Sequence, residues 1–163
     1  MSASSGSVFG ITFSIDRSVV HWEDFLLALT PVQQLGCGLW LKREDWFAPL
    51  GYGGINGSKV RQCIWLVNRY MENGGAAGLL SGASIKSPQL SSGTIVAAHY
   101  GLPSVHVIGA TTPKTAIRKA NVAIAAWGGA RFAFHSIAYN PALQRRVAEL
   151  LQGPLKHWMH LEY

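Results

Sequence analysis

The sequence predicts an α/β fold, with a parallel sheet of about four strands flanked by helices. Short apolar segments alternate four times with segments in which apolar residues recur at helical spacing. The short strand-like segments consist largely of continuous apolar runs, which is typical of parallel strands buried on both faces. At 163 residues and 48% hydrophobic content, the chain is long enough for one domain with a buried core.

The elements follow from local patterns along the chain. We expect strands at 10–15 and 37–42, with a loop at 29–35 between them. A helix is predicted for 58–71, because its apolar residues are spaced for one helical face and a glycine pair follows it. The remaining elements alternate in type: a strand at 77–81, a helix at 91–100, a strand at 104–108, a helix at 113–127, a strand at 131–134 and a helix at 141–151.

These elements fall into a single predicted domain. Residues 1–8 are rich in Ser and Gly and are expected to form a disordered start. Residues 9–153 carry the alternating elements and form the α/β domain. Residues 154–163 are expected to be a C-terminal tail.

Charge, cysteine content and hydropathy indicate which ligands, cellular compartment and partners to expect. The formal net charge of +6 favours anionic small molecules as ligands, and nucleic acid is a second, less favoured partner because no dense basic run occurs. Two cysteines, Cys37 and Cys63, are too few for a disulfide framework, so we expect a cytoplasmic protein. No apolar run has the length of a membrane span, and no membrane partner is expected.

A glycine-rich turn before Lys59 is the strongest chemical signal in the chain. The segment 51–61 reads GYGGINGSKVR and leads into the predicted helix 58–71. It does not match a P-loop, because Ser58 precedes the lysine and Val60 follows it. It does not match the dinucleotide fingerprint either, because Asn56 stands where the third glycine is required. The turn therefore predicts a close approach of backbone to a ligand at a helix N-terminus.

Four segments in order resemble the fold-type II pyridoxal-phosphate enzymes, the tryptophan synthase β-like superfamily. The branch they resemble most is that of aminocyclopropane-carboxylate deaminase and D-cysteine desulfhydrase. The segments are TPVQQL at 30–35, LKRED at 41–45, GGINGSKVR at 53–61, and SPQ at 87–89 with AAHYGL at 97–102. The resemblance covers about residues 28–150, which implies the N-terminal lobe of that fold.

The resemblance implies that pyridoxal 5′-phosphate is the cofactor and that Lys59 is the catalytic Schiff-base lysine. An amine is needed there because it condenses with the cofactor aldehyde, exchanges with the substrate amine and then carries a proton. By the same resemblance, Asn56, Gly57 and Ser58 are cofactor-binding residues. The implied reaction is α-proton abstraction from an amino acid or amine, followed by elimination, deamination or replacement.

The second implied group lies around residue 87. Ser87 matches a family serine near the substrate carboxylate and is the second catalytic candidate, and Gln89 is a donor to cofactor or substrate. Ser91 and Ser92 are candidate substrate-binding residues at the predicted helix start, although N-capping is the simpler interpretation. Pro88 departs from the family, which usually has Asn there, and Asn56 is a possible substitute.

The chain is much shorter than the family members it resembles. Their C-terminal part carries the phosphate-binding loop and the group that faces the pyridine nitrogen. We therefore expect a second chain that supplies the large domain, or self-association into a homo-oligomer. Two alternatives remain open: a non-catalytic binding or assembly module that keeps the fold, and modification of an amine linked to nucleic acid.

A metal site is not expected from this sequence. His157 and His160 could share one helical face, but no carboxylate or cysteine accompanies them at ligand spacing. His106 lies in an apolar context and is expected to be a core residue. Glu44 and Asp45 stand beside Lys42 and Arg43, so an ion-paired strand end is the simpler account of these carboxylates.

Overall fold

The computed structural model describes residues 5–8, 11–14, 29–50, 55–110 and 112–162. Two short antiparallel pairs come first in the chain. Ser5–Val8 (β1) pairs with Ile11–Ser14 (β2), and Val32–Gln34 (β3) pairs with Trp40–Lys42 (β4). The strand β1 falls within the predicted disordered start, and β3 falls within the predicted loop, so the structure differs from both expectations.

The remaining strands form the predicted four-stranded parallel sheet. They are Leu79–Ala83 (β5), Ser104–Gly109 (β6), Arg131–His135 (β7) and Met159–His160 (β8). Their order in the sheet is β7-β6-β5-β8, and each neighbouring pair is parallel. Strand β8 lies in the segment predicted as a tail; it has only two residues, too few for a sequence pattern.

Five α-helices accompany these strands in the described part of the chain. They are Ser58–Glu72 (α1), Pro88–His99 (α2), Pro113–Ala116 (α3), Ala120–Trp127 (α4) and Asn140–Gln152 (α5). The single helix predicted for 113–127 is therefore two helices, separated by a turn at 117–119. No helix in the ranges that the structure describes is both long enough and apolar enough to cross a membrane.

Helices cover both faces of the sheet. Leu79 packs with buried residues of α1 and α2, whereas its neighbour Leu80 packs with Leu143 and Val147 of α5. This division follows from the alternation of side chains along a strand. Both leucines are fully buried, which explains why β5 is apolar at consecutive positions.

A buried histidine joins the sheet to α2. His106 Nδ1 lies 2.7 Å from Ser81 Oγ, and His106 Nε2 lies 2.7 Å from Thr94 Oγ1. Thr94 donates its proton to the Leu90 carbonyl, so it accepts from Nε2–H, and Ser81 donates to Nδ1. Burial lowers the pKa of His106 to about 4. His106 is thus a neutral core residue, as the sequence predicts.

The β3–β4 hairpin contrasts with the sheet. Trp40 is 67% exposed and Leu41 is 45% exposed, although neighbouring residues of a strand point to opposite faces. The hairpin therefore presents apolar side chains on both faces. Cys37 lies exposed in its turn, whereas Cys63 is buried in α1.

Candidate active site

The candidate lysine lies in the first turn of α1. Helix α1 begins at Ser58 with Gly57 as its N-cap, so Lys59 is the second helical residue. Gly57 has φ of +95°, a value that favours glycine. The Lys59 side chain is half-buried, between exposed Ser58 and fully buried Val60. Sequence and geometry thus agree that a glycine turn presents this lysine at a helix N-terminus.

A 3-10 turn at Glu44–Trp46 supports the backbone that leads into α1. The Gly57 amide donates to the Phe47 carbonyl at 2.8 Å, and the Asn56 side chain donates to the Asp45 carbonyl. Asn56, a predicted cofactor ligand, therefore uses one amide proton to bind the preceding turn. Gly51–Gly54, the rest of the glycine-rich segment, lie outside the described residues.

The charged segment before this turn is held by ion pairs. Lys42 Nζ lies 2.6 Å from Glu44 Oε1, and Arg43 makes two hydrogen bonds to Asp45, one of them 2.8 Å long. The hydrogen bond from Arg43 lowers the pKa of the Asp45 carboxyl below its usual value. The predicted ion-paired strand end is confirmed, and these carboxylates stabilise the turn.

Arg61 extends this support from the other side. Its guanidinium lies 4.0 Å from the centre of the Phe47 ring, and its Nη2 lies 3.5 Å from Thr30 Oγ1. Thr30 in turn lies 3.5 Å from Glu44 Oε1. Residues from the TPVQQL, LKRED and lysine segments therefore meet around the start of α1, which spacing within each segment could not reveal.

The second group of candidates lies at the start of α2. Ser87 is the N-cap, and its hydroxyl accepts from the Gln89 amide at 3.2 Å. Pro88 occupies the first helical position, where a missing N–H has no consequence. The helix thus begins three residues earlier than predicted. The N-capping interpretation of Ser91 and Ser92 is wrong for this reason: both lie in the second turn and are 2% exposed.

Side chains of this group contact the fold itself. Gln89 Nε2 donates to the Leu161 carbonyl at 2.8 Å, so Gln89 ties α2 to the residue after β8. Ser91 Oγ lies 2.9 Å from Asn121 Oδ1 and 3.1 Å from the Pro88 carbonyl. Asn121 Nδ2 donates to the Lys86 carbonyl at 2.8 Å. No sequence pattern points to Asn121, which holds the loop before Ser87 in place through this bond.

Lys59 and Ser87 are brought to the same edge of the sheet. Helix α1 leads directly into β5, so its N-terminus lies toward the carboxyl end of that parallel strand, and α2 begins where β5 ends. Ligands of open α/β sheets bind at this edge. A cavity of about 520 Å³ lies elsewhere, beside Tyr70 and Trp158. Tyr70 is about 16 Å along α1 from Lys59, so this cavity is not part of the candidate site.

The chain is similar to a curated phage enzyme and to a solved structure, and no family model matches it. The chain is 37% identical over 167 aligned positions to the O-seryl-dTMP PLP-dependent decarboxylase of Salmonella phage ViI. The alignment covers 96% of this chain and 39% of that protein. The chain thus spans about two fifths of the relative's length.

The solved structure is a crystal structure of an ACC deaminase homologue. It superposes with a TM-score of 0.65 at 15% identity, covering 83% of this chain and 43% of that one. This likeness shows the fold. The resemblance predicted from the motifs, to part of a fold-type II pyridoxal-phosphate enzyme, is confirmed in sequence and in fold.

Proposed function

We propose that this fold-type II chain is the lysine-bearing part of a pyridoxal-phosphate-dependent enzyme that acts on an amino-acid group attached to a nucleotide. The observation that carries the proposal is the 37% identity to the phage decarboxylase across 96% of this chain. The position of Lys59 at the carboxyl edge of the sheet supports it.

The donor set fits one end of the cofactor. Lys59 offers an amine for the aldehyde, and the Ser87 hydroxyl, which accepts from the Gln89 amide, can donate its own proton to a substrate carboxylate. When bound, the cofactor supplies an electron sink that stabilises negative charge at the substrate α-carbon. The family resemblance implies that a separate region binds the phosphate, and we assign that task to a second polypeptide region.

Five of the candidate residues have roles that their positions allow. Lys59 would bind the cofactor and, once released by the substrate amine, hold the proton that is exchanged at the α-carbon. Gly57 and Ser58 would let backbone approach the cofactor, and Asn56 keeps this backbone in place through Asp45. Ser87 would orient the substrate carboxylate.

The reaction we favour is decarboxylation. The sequence predicts loss of an α-proton, followed by elimination, deamination or replacement. The phage relative is named for loss of carboxylate, which breaks another bond of the same carbon and needs the same lysine to return a proton. The name of that relative also specifies a seryl group on a thymidine nucleotide. An anionic substrate of this type suits a chain with net charge +6.

The exposed hairpin supports completion of the site by further polypeptide. A two-stranded hairpin is marginally stable alone, and β3–β4 leaves Val32 58%, Trp40 67% and Leu41 45% exposed. A chain that spans 39% of its relative is expected to bury such residues against the remainder. We propose that this remainder, whether in the same or another chain, covers the hairpin.

The test is cofactor attachment. The protein, purified with any partner that accompanies it, is incubated with pyridoxal phosphate and reduced with borohydride. We expect a yellow protein whose cofactor mass is recovered on the peptide containing Lys59. Lys59→Ala should abolish labelling, whereas Lys156→Ala, an exposed lysine before β8, should not change it. A colourless wild type, or label spread evenly over surface lysines, would refute the proposal.

One observation favours a second candidate, a non-catalytic assembly module. Pro88 has no side-chain amide and no N–H, where the family resemblance places an Asn. This candidate predicts that the complex containing the chain keeps its activity after Lys59→Ala. Our proposal predicts a loss of at least about a thousandfold, as is usual when a covalent catalyst is removed.

A further inference from the structure

We propose that the carboxyl edge of the sheet carries a DNA-binding surface, formed by Lys86, Lys114, Arg118 and Lys119, which we call the basic edge. It rests on the proposed function in that it explains how a nucleotide within a polymer would reach Lys59. Its partner is a phosphodiester backbone, and its contacts are predominantly electrostatic.

Charge is distributed very unevenly along the sequence. Residues 73–148 contain seven Lys or Arg and no Asp or Glu, whereas all eight acidic residues lie outside this range. The four side chains of the basic edge are exposed. None of them forms an ion pair with a carboxylate in the part of the chain that the structure describes. Their charge is therefore available to an anionic partner.

The fold brings these four residues together from two segments. Lys86 lies in the loop between β5 and α2, directly before Ser87. Lys114 lies in α3, and Arg118 and Lys119 lie in the turn before α4. Asn121, at the start of α4, donates to the Lys86 carbonyl at 2.8 Å and accepts from Ser91. This bridge places the turn beside the loop that leads to the candidate substrate residue.

An exposed aromatic residue lies at the same edge. Tyr139 is 70% exposed in the segment between β7 and α5. That segment packs closely on the end of β6, since a Cβ added to Gly109 would lie 2.3 Å from Ala138 Cα. Proteins that bind single-stranded nucleic acid combine cations with exposed aromatic rings for base stacking, so Tyr139 is the candidate stacking residue of this edge.

The size of the surface favours a polymer over a free nucleotide. A mononucleotide has one phosphate, which one or two cations and a few backbone amides can bind. Four exposed cations from two segments match several successive phosphates, because each strand of a DNA duplex has a phosphate about every 3.4 Å along the helix axis. Such contacts position a strand without reading its sequence.

The experiment measures salt-dependent DNA affinity of the full chain, with any partner that copurifies. Fluorescence anisotropy is recorded with a labelled 20-nucleotide DNA, single-stranded and duplex, from 50 to 200 mM salt. The variant carries K86Q, K114Q, R118Q and K119Q together, and the matched control carries K156Q. We expect the slope of log affinity against log salt to fall by about 3 to 4 in the quadruple variant, close to 0.9 per lost duplex contact. The control should keep the wild-type slope.

A stacking contribution is tested by Tyr139→Ala, which should weaken single-stranded binding by about tenfold or more at constant salt. Thermal unfolding checks that each variant is folded. Wild-type protein that does not bind DNA at 50 mM salt, or a quadruple variant with an unchanged slope, would overturn the inference. Cofactor attachment at Lys59 is measured separately, so a failed DNA experiment with normal labelling refutes the basic edge and leaves the proposed function standing.

Discussion

The parallel sheet and the β3–β4 hairpin differ sharply in how far their side chains are buried. All five residues of β5 are buried, whereas all three residues of β4 are exposed. Both segments are rich in apolar residues, so composition alone does not separate them. The side chains of the sheet are buried because α1, α2 and α5 pack against its two faces. No described element covers the hairpin in this way. Apolar content thus indicates that a segment will be buried. It does not show whether the burying surface belongs to this stretch of chain or to another polypeptide region.

Paired leucine substitutions should show this difference most strongly. Leu80→Ala removes a fully buried side chain packed against α5 and should lower the free energy of unfolding by about 2–5 kcal/mol. Leu41→Ala, at 45% exposure, should change it by less than about 0.5 kcal/mol. Urea denaturation of both variants measures the contrast. Equal losses would mean that the hairpin is part of the cooperative core.

Acid should weaken the sheet through His106. Its pKa is lowered to about 4 in the folded state by burial, against about 6.5 in the unfolded chain. The stability it contributes is present above pH 6.5 and is lost as the pH falls toward 4, up to about 3 kcal/mol. Unfolding free energies at pH 7 and 4.5 test this.

The matched control for His106 is an exposed histidine. His157→Asn, at an exposed site, controls for the histidine-to-asparagine substitution itself. His106→Asn should flatten the curve between pH 6.5 and 4.5, although the variant is less stable at every pH. A curve that keeps its wild-type shape in this variant would contradict the assignment.

The cap of α2 should have a smaller effect on stability. Ser87→Ala removes the hydroxyl that accepts from the Gln89 amide and should cost about 1 kcal/mol. Ser87→Asp preserves the cap but adds a negative charge beside the proposed carboxylate site. We expect Ser87→Asp to restore stability but not activity, and recovery of both would assign Ser87 a purely structural role.

The smallest effect on stability is expected at Trp40. Trp40→Ser removes a side chain that is 67% exposed, so unfolding of the isolated chain should change by less than about 0.5 kcal/mol. Binding to the polypeptide that completes the site should weaken by tenfold or more, as buried tryptophans at interfaces commonly do. Association measured by ultracentrifugation, with exposed Trp65 replaced in a control, separates the two effects.

Sequence patterns predicted the helices and strands whose own residues show a clear hydrophobic periodicity or an apolar run. Helix α1 is found because its apolar residues are spaced for one face, and β5 and β6 because most of their residues are apolar or small. Strand β8 was missed, since two residues carry no periodicity and their pairing with β5 depends on distant backbone. The start of α2 was missed because Pro88 was not recognised as a first helical residue.

The candidate site was predicted only in part for similar reasons. Lys59 and Ser87 stand in local motifs that a resemblance can identify. The contacts of Arg61 with Thr30 and of Asn121 with Lys86 join residues about 30 positions apart. Such contacts arise from packing and have no signature in a single sequence.

The different exposure of the two cysteines provides a natural labelling site on the hairpin. Cys37 is open to reagents at the hairpin tip, while Cys63 is enclosed in the core. A maleimide dye would therefore mark one position without any engineered mutation. The fluorescence of this dye would change when another polypeptide binds over Trp40 and Leu41, so the rate of binding could be followed directly.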